Sequence, residues 1–235
     1  MNNLLTAAPF FGFFLTVGAF ELARFINRKR GRAAINPLLF ATVVCCLLLL
    51  LLHIDYDTYY AGAKHLDFLL TPATICLAIP LYKQYQLLKK NASAVVAGCV
   101  AGVLAHVAFT VVLLLVFHLD AAGFATLLPK SITTAIGKSL SQELGGYPAI
   151  TMATIMLTGI FGAVAAPGLL KRMHVTEPLA QGLAIGTAAH AAGTSRAVEL
   201  GELQGAASSL AIVVTGLLTV VAAPLASRLF SILIG

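Results

Sequence analysis

The chain has 235 residues, of which 59% are hydrophobic and only 10% are charged, and its formal net charge is +6. This composition, with a mean hydropathy of +0.94, excludes a soluble domain, in which roughly a quarter of the residues are charged. The excess of Lys and Arg describes the loops of a membrane protein and does not indicate a nucleic-acid partner. We therefore expect an integral membrane protein.

Six apolar runs are long enough to cross a hydrocarbon core of roughly 30 Å. They lie at about 4–23, 35–54, 66–82, 93–117, 148–170 and 206–233. The first run is followed by a cluster of basic residues and has no small-residue cleavage site behind it, so we expect a retained anchor and not a signal peptide. Two further segments, 124–144 and 180–199, are too polar for simple spanning.

The basic loops predict the direction in which each run crosses the membrane. Lys and Arg are enriched on the cytoplasmic side, so the basic clusters at 24–32 and 83–90 should be cytoplasmic and the N-terminus should lie outside. The basic residues at 171–172 are then cytoplasmic only if 124–147 returns to the face that it entered from. By the same logic, 180–199 is a re-entrant or broken segment that enters from the cytoplasm.

The motif G-x-S-x-x-x-E-L-G occurs at 137–145 and again at 193–201, 56 residues later. Each copy precedes an apolar run that is repeated as well, with Thr-Gly at its start and Ala-Pro at its end, over 158–167 and 215–224. A unit of one re-entrant segment and one spanning helix reverses its orientation with each repetition. Adjacent copies are therefore expected to be inverted, which is the architecture of an alternating-access carrier.

These repeats divide the chain into parts. We treat 1–235 as a single membrane domain, with an N-terminal helical hairpin at 1–60 as a candidate scaffold. A weak first repeat is predicted at 66–118, a second at 124–171 and a third at 180–233. The expected fold is an all-α integral membrane protein with about six spanning helices and two re-entrant or broken polar segments in inverted repeats. It is carrier-like, with elevator-type motion as one option.

The polar residues within the two re-entrant segments form the candidate substrate-binding site. If the segments meet from opposite faces, their hydroxyls gather near the bilayer centre. Helix N-termini there carry partial positive charge, which suits a carboxylate, and an Arg side chain binds a carboxylate through two parallel hydrogen bonds. The predicted substrate-binding residues are Lys130, Ser131, Thr133, Thr134, Thr187, His190, Gly193, Thr194, Ser195 and Arg196.

The same residues also have purely structural interpretations. Arg196 and Glu199 stand at i,i+3 and pair locally in one interpretation, and Lys130 extends to the outer face in another. Lone Ser and Thr residues in membrane helices often donate to their own i−4 carbonyl. His190 has either a proton-coupling or a packing role, whereas we expect a structural role for His106, which lies in a plainer helix.

Neither a metal site nor catalysis is expected. The four cysteines lack ligand or disulfide spacing and the six histidines are scattered, so we predict no metal and no cofactor. A hydrolytic site of Ser195, His190 and Glu199 is disfavoured, because the first two point about 140° apart on one helix and no nucleophile elbow surrounds the serine. We predict that the protein is not an enzyme.

Five longer strings of polar and small residues stand out in the second half of the chain. They are LPKSITT at 128–134, GGYP at 145–148, LTGIFGA at 157–163, GTAAH at 186–190 and GTSRA at 193–197. Together they resemble the motifs of the LrgB/CidB family of membrane proteins. The resemblance implies a bacterial inner-membrane protein, often encoded with a smaller LrgA/CidA-like membrane partner. It also implies either holin/antiholin-like modulation of murein hydrolase activity and autolysis, or transport of small carboxylates. Pyruvate is the cargo linked to bacterial relatives, and glycolate or glycerate to the plastid homologue.

Two functional hypotheses therefore stand side by side. The first is a carrier for monocarboxylates of the pyruvate, glycolate or glycerate type, and the second is a holin/antiholin-like oligomeric membrane protein. The expected partners are the carboxylate, the lipid bilayer, an LrgA/CidA-like small protein and a second copy of the chain, with no nucleic acid. The identity of the carboxylate and of any coupling ion stays open at this point.

Overall fold

The computed structural model describes residues 10–30, 37–69, 72, 75–76 and 78–234. Regular secondary structure within these residues is entirely helical, which confirms the all-α prediction. The chain divides into two compact units, Met1–Cys76 and Leu77–Gly235. The predicted domain and repeat boundaries stay predictions.

The first unit contains three described helices, α1 (Phe11–Arg30), α2 (Pro37–Leu51) and α3 (Tyr56–Phe68). Helix α1 packs against both of the others. Small side chains, Ala19, Ala41 and Cys45, fill the α1–α2 contact, and the hydroxyls of Thr16 and Tyr59 are hydrogen-bonded at 2.7 Å between α1 and α3. Small residues at this contact let the helices approach closely.

The second unit carries the repeated motifs. Its helices are α4 (Ala78–Lys83), α5 (Tyr85–Lys90), α6 (Ala92–Phe117), α7 (Ala121–Leu127), α8 (Thr134–Glu143), α9 (Pro148–Arg172), α10 (Pro178–Leu200) and α11 (Glu202–Ile234).

Three of the described helices are long and apolar enough to cross a membrane. They are α6, α9 and the stretch Glu202–Phe230 of α11, with 26, 25 and 29 residues. At a rise of about 1.5 Å per residue each exceeds the roughly 30 Å of a hydrocarbon core. Parts of the predicted runs at 4–23, 35–54 and 66–82 lie outside the described residues, and the count of six spans stays a prediction.

Helices α7 and α8 form a hairpin, which we call the first hairpin. Helix α7 begins at the cap Asp120, whose Oδ1 accepts from Gly123 N at 2.7 Å, and the helical conformation is interrupted over 128–133. Helix α8 then returns, and Tyr147 N donates to Thr126 Oγ1 at 2.8 Å. Residues 21 positions apart are therefore adjacent, and the ten residues of α8 cover only about 15 Å.

Helix α10 doubles back at one residue, and we call it the second hairpin. His190 has φ 40° and ψ −137° inside an otherwise helical segment, a conformation that is rare for a residue with a side chain. Positions on both sides of His190 contact the same turn of α11. A Cβ on Gly186 would lie 2.5 Å from Ser208 O, and Thr194 Oγ1 is 2.7 Å from Ser208 Oγ.

The ends of the second hairpin also meet. Gln204 Nε2 donates to Gln181 Oε1 at 3.1 Å, although Gln181 lies near the start of α10 and Gln204 lies just after its end. A straight helix of 23 residues would instead separate its ends by about 33 Å. The chain therefore enters and leaves the second hairpin at the same end.

The two hairpins open at opposite ends of α9. Helix α9 starts directly after the first hairpin and ends directly before the second, and its 25 residues span about 37 Å. The Thr126–Tyr147 contact and the Gln181–Gln204 contact lie about one repeat apart in the sequence. Each copy thus consists of a hairpin and the long helix that follows it.

One glycine in each long helix packs against the hairpin of the other copy. A Cβ on Gly159 in α9 would lie 2.5 Å from His190 Cε1 in the second hairpin. The equivalent Gly216 in α11 faces Ile136 of the first hairpin, whose Cδ1 would lie 3.6 Å from an added Cβ. The glycine of the repeated Thr-Gly pair therefore lies at a contact between the two copies in both cases.

Candidate functional site

Both hairpins contact α9 at Ile155. His190 Nε2 donates to Ile155 O at 2.9 Å, and a Cβ on Gly137 would lie 2.5 Å from Ile155 Cδ1. Ile155 is fully buried and lies about two turns into α9. The two polar segments therefore approach one another on the same part of α9.

Lys130 and Ser131 lie at the break of the first hairpin and turn toward α6. Lys130 Nζ is 2.8 Å from His106 Nδ1 and 3.3 Å from Thr110 Oγ1, and Ser131 Oγ is 3.0 Å from His106 Nδ1. His106 Nε2 is 2.6 Å from Leu128 O. Because a carbonyl only accepts, Nε2 carries the ring proton and Nδ1 is the acceptor that the two donors share.

Thr133 and Thr134 lie at the N-terminus of α8. Thr133 is the cap residue, with an extended backbone at φ −64° and ψ 145°, and its hydroxyl makes no capping hydrogen bond. The first N–H groups of α8 therefore keep their partial positive charge without a side-chain acceptor from Thr133. This end of α8 follows directly after Lys130 and Ser131.

Buried hydroxyls of the second hairpin are bonded within the protein. Thr187 Oγ1 donates to Leu183 O at 2.8 Å, and Thr194 Oγ1 donates to His190 O at 2.9 Å. Since the Thr194 hydrogen is used in that way, Ser208 donates across the 2.7 Å contact to Thr194 Oγ1. These hydroxyls stabilise the hairpin, with Thr194 and Ser208 fully buried.

The remaining predicted site residues lie on the returning limb of the second hairpin. Gly193 is buried, and a Cβ there would lie 2.9 Å from Ile185 Cγ2, so this glycine lets the two limbs pack. Ser195 is exposed and donates to Ala191 O at 3.3 Å. Arg196 forms an ion pair with Glu199, the local pairing that their spacing predicted, and its role in substrate binding stays a prediction.

His106 has more contacts than the sequence suggested. It is one of four residues at i,i+4 spacing on α6, after Gly98 and Gly102 and before Thr110. An added Cβ on Gly98 would lie 3.3 Å from Leu183 Cδ1, and one on Gly102 would lie 3.0 Å from the Cβ of Thr187 in the second hairpin. This stripe of small and polar residues contacts both hairpins, and its regular spacing was the available signal.

No group of three His, Cys, Asp or Glu residues is placed to hold a metal ion in the described part of the chain. The predicted substrate-binding residues stay a prediction, with hydroxyls, His190, Lys130 and Arg196 as their polar members.

Sequence comparison gives a clear family. The model of the LrgB-like family matches residues 16–229. The chain belongs to the LrgB family. This family includes Antiholin-like protein LrgB of Bacillus mycoides (strain KBAB4), which is 34% identical over 221 residues, or 94% of this chain and 96% of the relative.

Other relatives match over similar lengths. Antiholin-like protein LrgB of Bacillus cereus (strain B4264) is also 34% identical over 221 residues, with the same coverage. Uncharacterized protein YwbG of Bacillus subtilis (strain 168) is 35% identical over 211 residues, which is 90% of this chain and 94% of the relative. No solved structure matches the chain. The predicted resemblance to LrgB proteins is therefore confirmed across nearly the whole sequence.

Proposed function

We propose that this LrgB-family chain is a membrane carrier for small monocarboxylates of the pyruvate, glycolate or glycerate type, working by alternating access. The observation that supports it best is the pair of hairpins that open at opposite ends of α9 and both contact Ile155. Interrupted helices at membrane depth are tolerated where protein or a water-filled cavity satisfies their backbone groups. Inverted repeats with such interrupted helices are typical of secondary transporters.

The proposed placement follows the positive-inside rule. The N-terminus lies outside the cytoplasm of a bacterial cell, in the inner membrane, and the first hairpin enters from outside while the second enters from the cytoplasm. The proposal assigns no catalysis and no cofactor. An LrgA/CidA-like membrane protein and a second copy of the chain are the proposed partners.

The chemistry of the first hairpin favours an anionic cargo. Lys130 supplies formal positive charge, and the N-terminus of α8 supplies N–H groups that the Thr133 hydroxyl leaves without a cap. Charge-assisted hydrogen bonds of this kind bind carboxylates. A molecule with one carboxylate and one neighbouring oxo or hydroxyl group satisfies these donors and the nearby hydroxyls together.

Uptake into liposomes tests the proposal. Purified full-length protein should accumulate labelled pyruvate, glycolate or glycerate saturably, and Thr133→Ala should lower that uptake roughly 5- to 10-fold through the loss of one hydrogen bond. Ser139→Ala is the matched control, because Ser139 is exposed in the same hairpin and its hydroxyl donates to the carbonyl of Ala135, one turn earlier in α8, at 3.2 Å. No uptake of any of the three by folded protein contradicts the proposal.

The second candidate function is an antiholin-like protein that modulates murein hydrolase activity, and the names of the LrgB relatives favour it. It predicts higher oligomers and a large, unselective leak. Release of trapped carboxyfluorescein from the same liposomes separates the two functions, because a carrier retains this bulky dye and a holin-like pore releases it.

A further inference from the structure

Lys130 is a partly buried cation whose described partners are all neutral. Its Nζ contacts His106 Nδ1 at 2.8 Å and Thr110 Oγ1 at 3.3 Å, and it lies 5.1 Å from the centre of the Phe109 ring. Lys130 belongs to none of the ion pairs among the described residues. A cation removed from bulk water is costly unless it has a counter-ion, so this position favours a bound anion.

His106 holds this ammonium in place. Its Nε2 proton is used by Leu128 O at 2.6 Å, so the ring cannot rotate without losing that bond, and Nδ1 is fixed as an acceptor toward Lys130. Leu128 and Lys130 belong to the same break of the first hairpin. The ring of His106 therefore orients the ammonium relative to the hairpin in which the ammonium lies.

We propose that the Lys130 ammonium binds the carboxylate of the cargo and that His106 is a positioning residue which aims this ammonium. As the one uncompensated cation among the described residues of the site, Lys130 selects cargo with one carboxylate. The inference rests on the proposed carrier function. Arg196 contributes no net charge to the site, because Glu199 neutralises it. A dicarboxylate brings a second charge for which the described part of the site has no cation.

The second hairpin approaches the site along the same face of α6. Gly102 lies one helical turn, about 6 Å, before His106 on the same face of α6. The Thr187 side chain packs on Gly102, with its Oγ1 3.2 Å from an added Cβ. Cargo held by Lys130 therefore lies near residues from both copies, as an alternating-access site requires.

Two lysine variants test the carboxylate contact in full-length protein in liposomes. Lys130→Met should raise the KM for labelled pyruvate roughly 10- to 100-fold, the loss expected for a charge-assisted hydrogen bond. Lys138→Met removes the same charge from an exposed position of the same hairpin and should leave KM unchanged. Unlabelled malonate should compete with pyruvate at least roughly tenfold more weakly than unlabelled pyruvate does.

Two histidine variants test the positioning role. His106→Ala should raise KM with little change in the maximal rate, and His106→Asn should restore much of the affinity, because its Oδ1 keeps an acceptor near the position of Nδ1. A purely structural role predicts loss of folded protein for both variants, measured by gel filtration, and no difference in KM between folded samples.

The outcomes separate the inference from the proposed function. Absence of uptake by the unmodified protein overturns both. Saturable pyruvate uptake that Lys130→Met and Lys138→Met change equally, or that malonate inhibits as well as pyruvate, overturns the inference alone.

Discussion

The hydroxyls of Thr151 and Ser208, 57 positions apart in the sequence, form hydrogen bonds between each long helix and the hairpin that precedes it. Thr151 at the start of α9 donates to Thr126 O at 2.9 Å and is hydrogen-bonded to Ser141 Oγ at 2.7 Å. Ser208 at the start of α11 makes the corresponding bond to Thr194. All of these side chains are buried, so water does not compete for the bonds that join each hairpin to its helix.

Replacing Ser208 with Ala should lower thermal stability. Thr194 keeps its bond to His190 O but loses its donor from α11, at a cost of about 1 kcal/mol. Ser195→Ala is the control, because that exposed hydroxyl bonds only within its own helix and its removal should shift the melting temperature little. The measurement is loss of the monodisperse gel-filtration peak on heating in detergent. An equal shift for both variants contradicts this role of Ser208.

At the residue scale, the sequence predicted the polar positions and the local Arg196–Glu199 ion pair but not the pairings between helices. Lys130, Thr194 and His190 were found because polar residues are conspicuous within apolar runs. The contacts of His106 and Ser208 were missed, because they depend on which helices become neighbours. A repeat with a period of 56 residues shows that the copies are equivalent and does not show how they pack.

At the scale of the helices, the main feature is the close approach of two helices at glycine positions. Gly182 and Gly186, one turn apart in α10, both lie against the backbone of α11, and a Cβ on Gly186 would lie 2.5 Å from Ser208 O. Backbone cannot move aside as a flexible side chain does. The entering limb of the second hairpin therefore depends on these glycines to lie against α11.

Gly186→Ala should separate that limb from α11 and lower stability by about 1–3 kcal/mol, the usual cost of overpacking. Gly168→Ala is the matched control, because nothing lies within 4 Å of an added Cβ there and alanine favours a helix by about 1 kcal/mol. Thermal unfolding of both variants in detergent, with the parent alongside, measures the difference. Equal or higher stability of Gly186→Ala contradicts the observed packing.

The sequence predicted that the chain reverses within two segments, but it predicted the residues at which the chain reverses only in part. Loop charges required 124–147 and 180–199 to turn back, and both segments do so. The break of the first hairpin lies at Pro129, where a proline disrupts helical hydrogen bonds. In the second hairpin the break is confined to His190, whose unusual backbone accompanies its bond to Ile155 O, and no local sequence signal marks a contact 35 residues away.

At the scale of the whole molecule, the main feature is that the two hairpins open at opposite ends of α9. Glu143 and Glu199, the glutamates of the repeated G-x-S-x-x-x-E-L-G motif, are exposed near those openings. Glu143→Cys and Glu199→Cys, in a chain whose four native cysteines are replaced by serine, should react with a membrane-impermeant maleimide from opposite sides. Intact cells should label the first variant and inverted vesicles the second. Labelling of both from one side contradicts the inverted arrangement.

Composition alone predicted a helical membrane protein, because unpaired backbone groups are not tolerated in lipid and helices satisfy them internally. The number of spans was harder to predict. Helix α2 is apolar but has only 15 residues. The length of such a helix decides whether it crosses the membrane, and composition does not reveal where a helix begins and ends. The interlocking of the copies at Gly159 and Gly216 was not predictable either, because it links residues that are distant in sequence.

The contact between Ile136 and Gly216 also sets an order for biosynthesis. The ribosome adds Gly216 80 residues after Ile136, so one face of the first hairpin has no packing partner until the last helix has been made. The packing of the first hairpin is therefore complete only after α11 has been made, and a nascent chain that stops before α11 lacks this contact.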